Sequence, residues 1–203
     1  MTAAVTSANS ESIAATLAAL TGFPALPGPR VTLRGPRADD AQALFELFSI
    51  PEVMRYWSRP AMQSIDEACT LIEGIDEGFR NRTMLNWVIT DAADVAIGSC
   101  TLFRIDPRHR CTELGYALHP AHWGSGIASE ATSLALAWAF EVLGLHRVSA
   151  GIDPGNESSR RLLLRHGFQL EGHLRQSYFV GDTVTDEALF GLLATDWRMR
   201  KGG

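Results

Sequence analysis

One segment of the chain carries residues suited to binding an anion. Residues 113–128 read ELGYALHPAHWGSGIA, so a strand-like run ends at Pro120 and a glycine loop leads into a helix. Gly124 and Gly126 let the backbone approach a ligand closely. The free N–H groups of a helix's first turn, together with the helix dipole, favour an anion there. The segment predicts a phosphate site made of backbone, although many such turns contain glycine for steric reasons alone. Ser129 stands where a GxGxxG dinucleotide fingerprint needs its third glycine.

A second segment, residues 153–168, is a helix with strong end signals. Asn156 is a favoured N-cap residue, and Gly167 is a favoured residue just beyond a helix C-terminus. A well-capped helix explains both residues without any function. It does not explain why this segment follows the glycine loop at this distance.

Together these segments resemble the GNAT superfamily of acetyl-coenzyme-A-dependent N-acetyltransferases. The similarity is greatest to the ribosomal-protein-alanine (RimJ/RimL-like) branch. ELGYALHPAHWGSGIASEA resembles its coenzyme-binding strand, loop and helix, and GLHRVSAGIDPGNESSRRLLLRHGFQLEGHLRQ resembles the strand, helix and strand that follow. The similarity runs in the correct order over about residues 30–197, which makes it more specific than any single motif.

The resemblance implies a set of residues that bind acetyl-CoA. The backbone of the fourth strand of the family fold is expected to pair with the pantetheine arm, and the loop after it to hold the pyrophosphate. Asn156 and Ser159 match positions that face the pantetheine arm and the thiol. The strand and loop residues are Tyr116, Ala117, Leu118, Trp123, Gly124, Ser125, Gly126, Ile127 and Ala128.

The resemblance also suggests catalytic residues. Glu113 matches a general base of some relatives, but a structural glutamate bonded to a neighbouring strand is an equally good interpretation. Many members carry a tyrosine acid where this chain has Leu163, which leaves Ser159 as the weaker candidate for the acid. Tyr178 stands where other relatives have a glutamate base, and is expected to orient a water or the substrate. The N–H of Leu118 is the candidate oxyanion donor.

The expected function is transfer of an acetyl group from acetyl-CoA to a primary amine. The amine is that of a protein or peptide N-terminus, an amino acid or a small molecule. The stretch Arg55–Arg59 falls where this branch lines the acceptor cleft, although burial in the core is the default for its Tyr56 and Trp57. Because a tyrosine is missing at Leu163, a catalytically silent acyl-CoA sensor or scaffold is the alternative. An unrelated α/β nucleotide-binding protein is a third.

The hydrophobic pattern supplies elements that can position these residues. It predicts β-α-α-β-β-β-α-β-α-β-β-β, with three strands near 168–174, 176–180 and 184–193. This order indicates an α/β protein with a mixed sheet and helices on both faces. The resemblance specifies a twisted, mostly antiparallel GNAT sheet that is splayed between its fourth and fifth strands.

Composition excludes several chemistries. The chain has 203 residues and a net charge of −5, which does not favour a nucleic-acid partner. Lys201 is the only lysine in the sequence, so a P-loop or a pyridoxal Schiff base is excluded. Three cysteines without a CxxC pair and six scattered histidines argue against a metal site. His119 and His122, which flank the glycine loop, are candidates for phosphate contacts or for plain surface residues.

The first 29 residues differ from the rest. They are rich in Ala, Thr and Ser and end in FPALPGP, which predicts a flexible extension with one weak helix near 10–20, before a domain spanning 30–200. We find no secretory signal or membrane-spanning segment and expect a cytoplasmic protein without a membrane partner. A homodimer is common in the branch that the sequence resembles.

Overall fold

The structure, a computed structural model, describes residues 3–201, and the side chains of residues 10–200. Its centre is an eight-stranded sheet with strand order β1-β2-β3-β4-β5-β6-β8-β7. The strands are β1 (Leu26–Pro27), β2 (Thr32–Arg34), β3 (Met84–Thr90), β4 (Ala96–Asp106), β5 (Cys111–Leu118), β6 (Arg147–Ile152), β7 (Gln169–Val180) and β8 (Thr183–Leu193). Neighbours are antiparallel except for β5 and β6, which are parallel. The predicted mixed, mostly antiparallel sheet is confirmed.

Helices cover both faces of this sheet, as predicted. They are α1 (Ala3–Ala19), α2 (Ala41–Ser49), α3 (Pro51–Met54), α4 (Ile65–Arg80), α5 (Ile127–Ala137), α6 (Glu157–Arg165) and α7 (Ala194–Lys201). One apolar core lies under α1, α5, α6 and α7, and a second lies under α2, α3 and α4. Within the described residues, no helix is both long and apolar enough to cross a bilayer.

The N-terminal segment is packed rather than extended from the domain. The sequence predicts flexibility up to residue 29, but Ile13 and Leu17 are each only 2% exposed in the main core. The indole of Trp87 donates a hydrogen bond of 2.8 Å to the carbonyl of Pro24. Leu26 and Pro27 form the edge strand β1. The physical reason is that the apolar Ala- and Leu-rich stretch buries its few large side chains in the main core. For residues 1–9, the prediction of flexibility concerns side chains that lie outside the described residues.

The C-terminal sheet contains two strands where the sequence predicts three. β7 is continuous from Gln169 to Val180, and its pairing with β8 shifts register between Leu174 and Tyr178. Gln176 adopts a φ of 52° at this irregularity. A bulge of this kind bends a strand without ending it, and a sequence pattern reads the bend as a break.

Candidate functional site

The parallel pair β5 and β6 separates part-way along its length. The two strands pair only from Cys111 with Arg147 to Glu113 with Ser149. Beyond Ser149, β6 continues to pair with β8 as far as Ile152. The second half of β5 therefore faces a gap. These are the fourth and fifth strands of the sequence analysis, because the short β1 was not predicted there.

The unpaired edge of β5 presents backbone groups to this gap. The N–H of His119 donates to the carbonyl of Ile97 in β4, at 2.9 Å. Since successive N–H groups of a strand point to opposite sides, Ala117 also faces β4, whereas Tyr116 and Leu118 face the gap. The carbonyl of Leu118 already accepts a hydrogen bond of 2.7 Å from the indole of Trp123. Of the predicted edge residues, Ala117 thus directs its backbone away from the gap.

The glycine loop leads directly from this edge into α5. Gly124 and Gly126 have φ values of 71° and 84°, which side chains other than glycine rarely tolerate. Gly126 is the N-cap of α5, and no side chain caps the helix from that position. The Ser125 hydroxyl donates to the carbonyl of His122 at 2.5 Å, and its oxygen accepts a long hydrogen bond of 3.4 Å from the N–H of Ile127. The turn therefore keeps a positive helix end that a phosphate group can approach.

Arg30 adds a positive charge to this loop, and the sequence analysis did not identify it. Its guanidinium donates at 2.7 Å to the carbonyl of Ser125 and at 2.7 Å to the carboxylate of Glu130 in α5. A Cβ placed on Gly126 would lie 3.4 Å from this guanidinium. About half of the Arg30 side chain is exposed. Arg30 is thus held beside the turn and is open to a ligand.

The first turn of α6 lies near the same gap. The Asn156 side chain accepts a hydrogen bond of 3.1 Å from the N–H of Ser159, which confirms the predicted N-cap. Leu163 is fully buried in the main core and has no chemistry to offer. Ser159 lowers the pKa of the Tyr116 hydroxyl on β5, against the larger rise that burial causes.

The comparisons with known proteins agree with this geometry. The family described as "Acetyltransferase (GNAT) domain" matches residues 30–169. This chain belongs to the GNAT acetyltransferase family. It is 36% identical over 173 residues to "Uncharacterized N-acetyltransferase YoaA" of Bacillus subtilis. The aligned region covers 84% of this chain and 97% of that protein.

Two further relatives show what similar GNAT proteins bind. A spermidine N(1)-acetyltransferase of Vibrio cholerae is 28% identical and covers 77% of this chain and 89% of its own length. The crystal structure of a spermidine N-acetyltransferase from Vibrio cholerae with CoA and spermine superposes with a TM-score of 0.75. It is 26% identical and covers 84% of this chain and 99% of that one. The chain is an acetyl-CoA-dependent N-acetyltransferase, and the unrelated nucleotide-binding alternative is excluded.

Glu113 lies where the gap of this acetyltransferase begins. It is the last residue of β5 that pairs with β6, and strand alternation places its side chain on the opposite face from Tyr116. Its carboxylate accepts a hydrogen bond of 2.8 Å from Arg104 in β4. This ion pair raises the pKa of Arg104, mainly through that hydrogen bond. Glu113 has the contact expected of a structural residue, and it stands at the position where the gap begins.

We expect Glu113→Gln to lower kcat of the acetyltransferase about tenfold. This is less than the roughly 100-fold that a well-placed general base contributes at the least. Glutamine keeps an oxygen for Arg104, so the change removes mainly the charge. The measurement is steady-state thiol release across pH. As a control, Arg104→Met breaks the same ion pair but leaves the carboxylate in place. Equal kcat values for Glu113→Gln and the parent protein would remove Glu113 from the mechanism.

Tyr178 lines a cavity of about 220 Å³ between the β7–β8 hairpin and the segment after α3. Burial raises the pKa of Tyr178, with smaller contributions from Asp153 and Glu187. The cavity brings the predicted acceptor residues Tyr56 and Trp57 together with Tyr178. Its lining is Arg55, Tyr56, Trp57, Asp153, Tyr178, Val180, Thr183 and Thr185. Trp57 also packs edge-on against Phe48 at 5.3 Å, so part of it belongs to the core as expected.

The histidines form no metal site. The rings of His119 and His122 are 6.3 Å apart, and His119 Nδ1 accepts a hydrogen bond from the N–H of Ala121. Among the described residues, no group of three or more His, Cys, Asp or Glu side chains is placed to hold a metal ion. His166 instead joins α6 to α5, because its Nε2 lies 3.0 Å from the hydroxyl of Ser129.

The pKa of His166 is lowered, first by burial and then by the charge of Arg200. A lowered pKa in the folded state means that the neutral form is favoured on folding. The stabilisation that neutral His166 gives is complete above the pKa of about 6.5 in the unfolded chain. It is lost as the pH falls through the lower pKa of the folded protein. We expect His166→Asn to flatten the decrease of Tm between pH 8 and pH 5. The exposed His109→Asn is the control, and an unchanged slope for His166→Asn would contradict the prediction.

Proposed function

We propose that this acetyltransferase transfers the acetyl group of acetyl-CoA to a primary amine of a small molecule, an amino acid or a protein or peptide N-terminus. The observation that carries the proposal is the gap between β5 and β6, which begins beyond Glu113. The strand that borders this gap leads into the α5 N-terminus, with Arg30 beside the turn. The cavity lined by Tyr178 is the candidate acceptor site.

The cavity has features that suit a cationic amine. The carboxylate of Asp153 and the rings of Tyr56, Trp57 and Tyr178 line it. Aromatic faces and a carboxylate both attract an ammonium group. The named relatives that acetylate spermidine act on such a cation. Arg55 also lines the cavity, so an acceptor that carries a carboxylate as well as an amine fits this charge pattern too.

The proposed reaction forms a C–N bond and breaks the C–S bond of the thioester. The amine loses a proton to Glu113 or to a water chain and attacks the thioester carbonyl. The gap-facing N–H of Leu118 is the proposed donor to the oxyanion, and Tyr116 offers its backbone to the pantetheine arm. The amide product and the CoA thiolate then leave. Ser159, in the first turn of α6, is the candidate donor to that thiolate.

The test is release of free thiol from acetyl-CoA in the presence of a panel of amines. The panel contains polyamines, free amino acids and peptides with a free N-terminus. Turnover with one class identifies the acceptor. Tight acetyl-CoA binding without turnover across the whole panel would overturn the proposal and favour the silent sensor, for which the buried Leu163 is the structural motive.

We also propose that the chain belongs to the RimJ/RimL-like branch, is cytoplasmic and forms a homodimer. Trp123 supports the branch, since this branch often has tryptophan at that position, and here its indole holds the end of β5. The three free cysteines fit a reducing compartment. Acetylation of a peptide with an N-terminal alanine and light scattering of the purified protein test the branch and the dimer.

A further inference from the structure

The hydroxyl of Tyr116 is a buried polar group without a hydrogen-bond partner among the described residues. Tyrosine hydroxyls that are buried usually find a partner, since leaving one unpaired costs free energy. The ring belongs to β5 beyond its last pair with β6 and packs against the main core, which contains Leu163 of α6. The unpaired hydroxyl therefore lies beside the proposed path of the pantetheine arm.

The polar side chain beside this hydroxyl is that of Ser159. Their interaction opposes the rise in the Tyr116 pKa, although the two hydroxyls do not meet the geometry of a hydrogen bond in the resting structure. Ser159 is itself fixed by the Asn156 cap of α6.

We propose that Tyr116 is a positioning residue that donates a hydrogen bond to Ser159, so that the Ser159 hydroxyl points its own hydrogen at the departing CoA sulfur. Together, the two hydroxyls replace the tyrosine acid that many family members carry at the position of Leu163. The inference rests on the proposed acetyl transfer. It adds a role for the Tyr116 side chain to the one proposed for its backbone.

The two hydroxyls stabilise the leaving group without giving up a proton. Burial raises the pKa of Tyr116 to about 12, well above the value of about 8.5 for an ordinary thiol. Proton transfer from the phenol to the thiolate would therefore be uphill. The C–S electron pair leaves with the sulfur, the hydrogen bond from Ser159 spreads its charge, and the thiolate takes its proton later from water.

The proposal predicts opposite effects on stability and on activity for Tyr116→Phe. Removing an unpaired buried hydroxyl leaves the ring in place, so Tm is expected to stay equal or rise. By contrast, kcat is expected to fall up to about tenfold, the upper end of what one neutral hydrogen bond contributes, with little change in KM for acetyl-CoA. A residue with a merely structural role would not combine a retained Tm with a lower kcat.

Thr132 offers a matched control, because its hydroxyl in α5 is also buried and unpaired. Thr132→Val removes that hydroxyl at nearly constant volume, and should leave kcat unchanged. Ser159→Ala should lower kcat as Tyr116→Phe does, and the double variant should be no worse than the poorer single variant. Additive losses in the double variant, or a kcat for Tyr116→Phe equal to that of the parent protein, would overturn the proposal.

A binding measurement keeps this test separate from that of the acceptor. At a pH above the pKa of the free CoA thiol, where CoA is largely a thiolate, the parent protein is expected to bind CoA more tightly than desulfo-CoA. Tyr116→Phe should lose several-fold of that preference. If no amine is acetylated but this preference is present and is lost in Tyr116→Phe, only the proposed function fails. If amines are acetylated and the preference is equal in both proteins, only the role of Tyr116 fails.

Discussion

Gly126→Glu is expected to raise the dissociation constant for acetyl-CoA about 100-fold, or about 2.7 kcal/mol of binding free energy. Gly126 has a φ of 84° at the N-cap of α5, where an L side chain is strained. The new carboxylate would stand at the helix end that is proposed to bind the pyrophosphate, and it would compete for the guanidinium of Arg30, which lies 3.4 Å from the added Cβ. Calorimetric titration with acetyl-CoA measures this effect.

A second variant separates backbone strain from charge. Gly126→Ala carries most of the same strain but no charge, and is expected to weaken binding much less than the glutamate does. Gly22→Ala, at a glycine with open space around it, is the control for a neutral change. Unchanged affinity for Gly126→Glu would refute the assignment of the phosphate turn.

Arg34→Met is expected to destabilise the protein by about 3 kcal/mol, because it leaves a buried carboxylate without its partner. Arg34 and Asp40 are 9% and 5% exposed and form two hydrogen bonds of 2.7 and 2.8 Å. Arg34 also binds Asp94 at 2.6 Å, in the β3–β4 turn. The hydrogen bond with Asp40 contributes most to raising the pKa of Arg34. The residue therefore ties β2 to the turn before α2, and chemical denaturation measures its contribution.

Arg37→Met is the matched control for this network. The Arg37 side chain is about half exposed and binds the same Asp94 at 2.7 Å. An exposed pair contributes about 1 kcal/mol or less, so this variant should stay close to the parent protein. If both variants lost a similar amount of unfolding free energy, the burial of the Arg34–Asp40 pair would not explain its contribution to stability. The double variant Arg34→Met with Asp40→Asn should recover part of the stability, since it removes the buried charge as well.

The sequence by itself determined those features that depend on neighbours along the chain. Gly126 and Gly124 adopt positive φ because the turn before α5 needs it, and Asn156 caps α6 through an N–H three residues away. Alternating and helical hydrophobic patterns likewise located the central strands and helices, because these periods decide which side chains face a core. The glycine turn that is proposed to bind phosphate was predictable on the same local basis.

Only the tertiary structure decided which distant groups meet at the site. Arg30 reaches Ser125 across 95 positions in sequence. The hydroxyl of Tyr116 interacts with Ser159 only because the fold brings β5 near the first turn of α6. The burial of Ile13 likewise depends on a sheet surface that local composition does not reveal. Such contacts depend on how the elements pack and on where two strands separate, and no local period in the sequence specifies either.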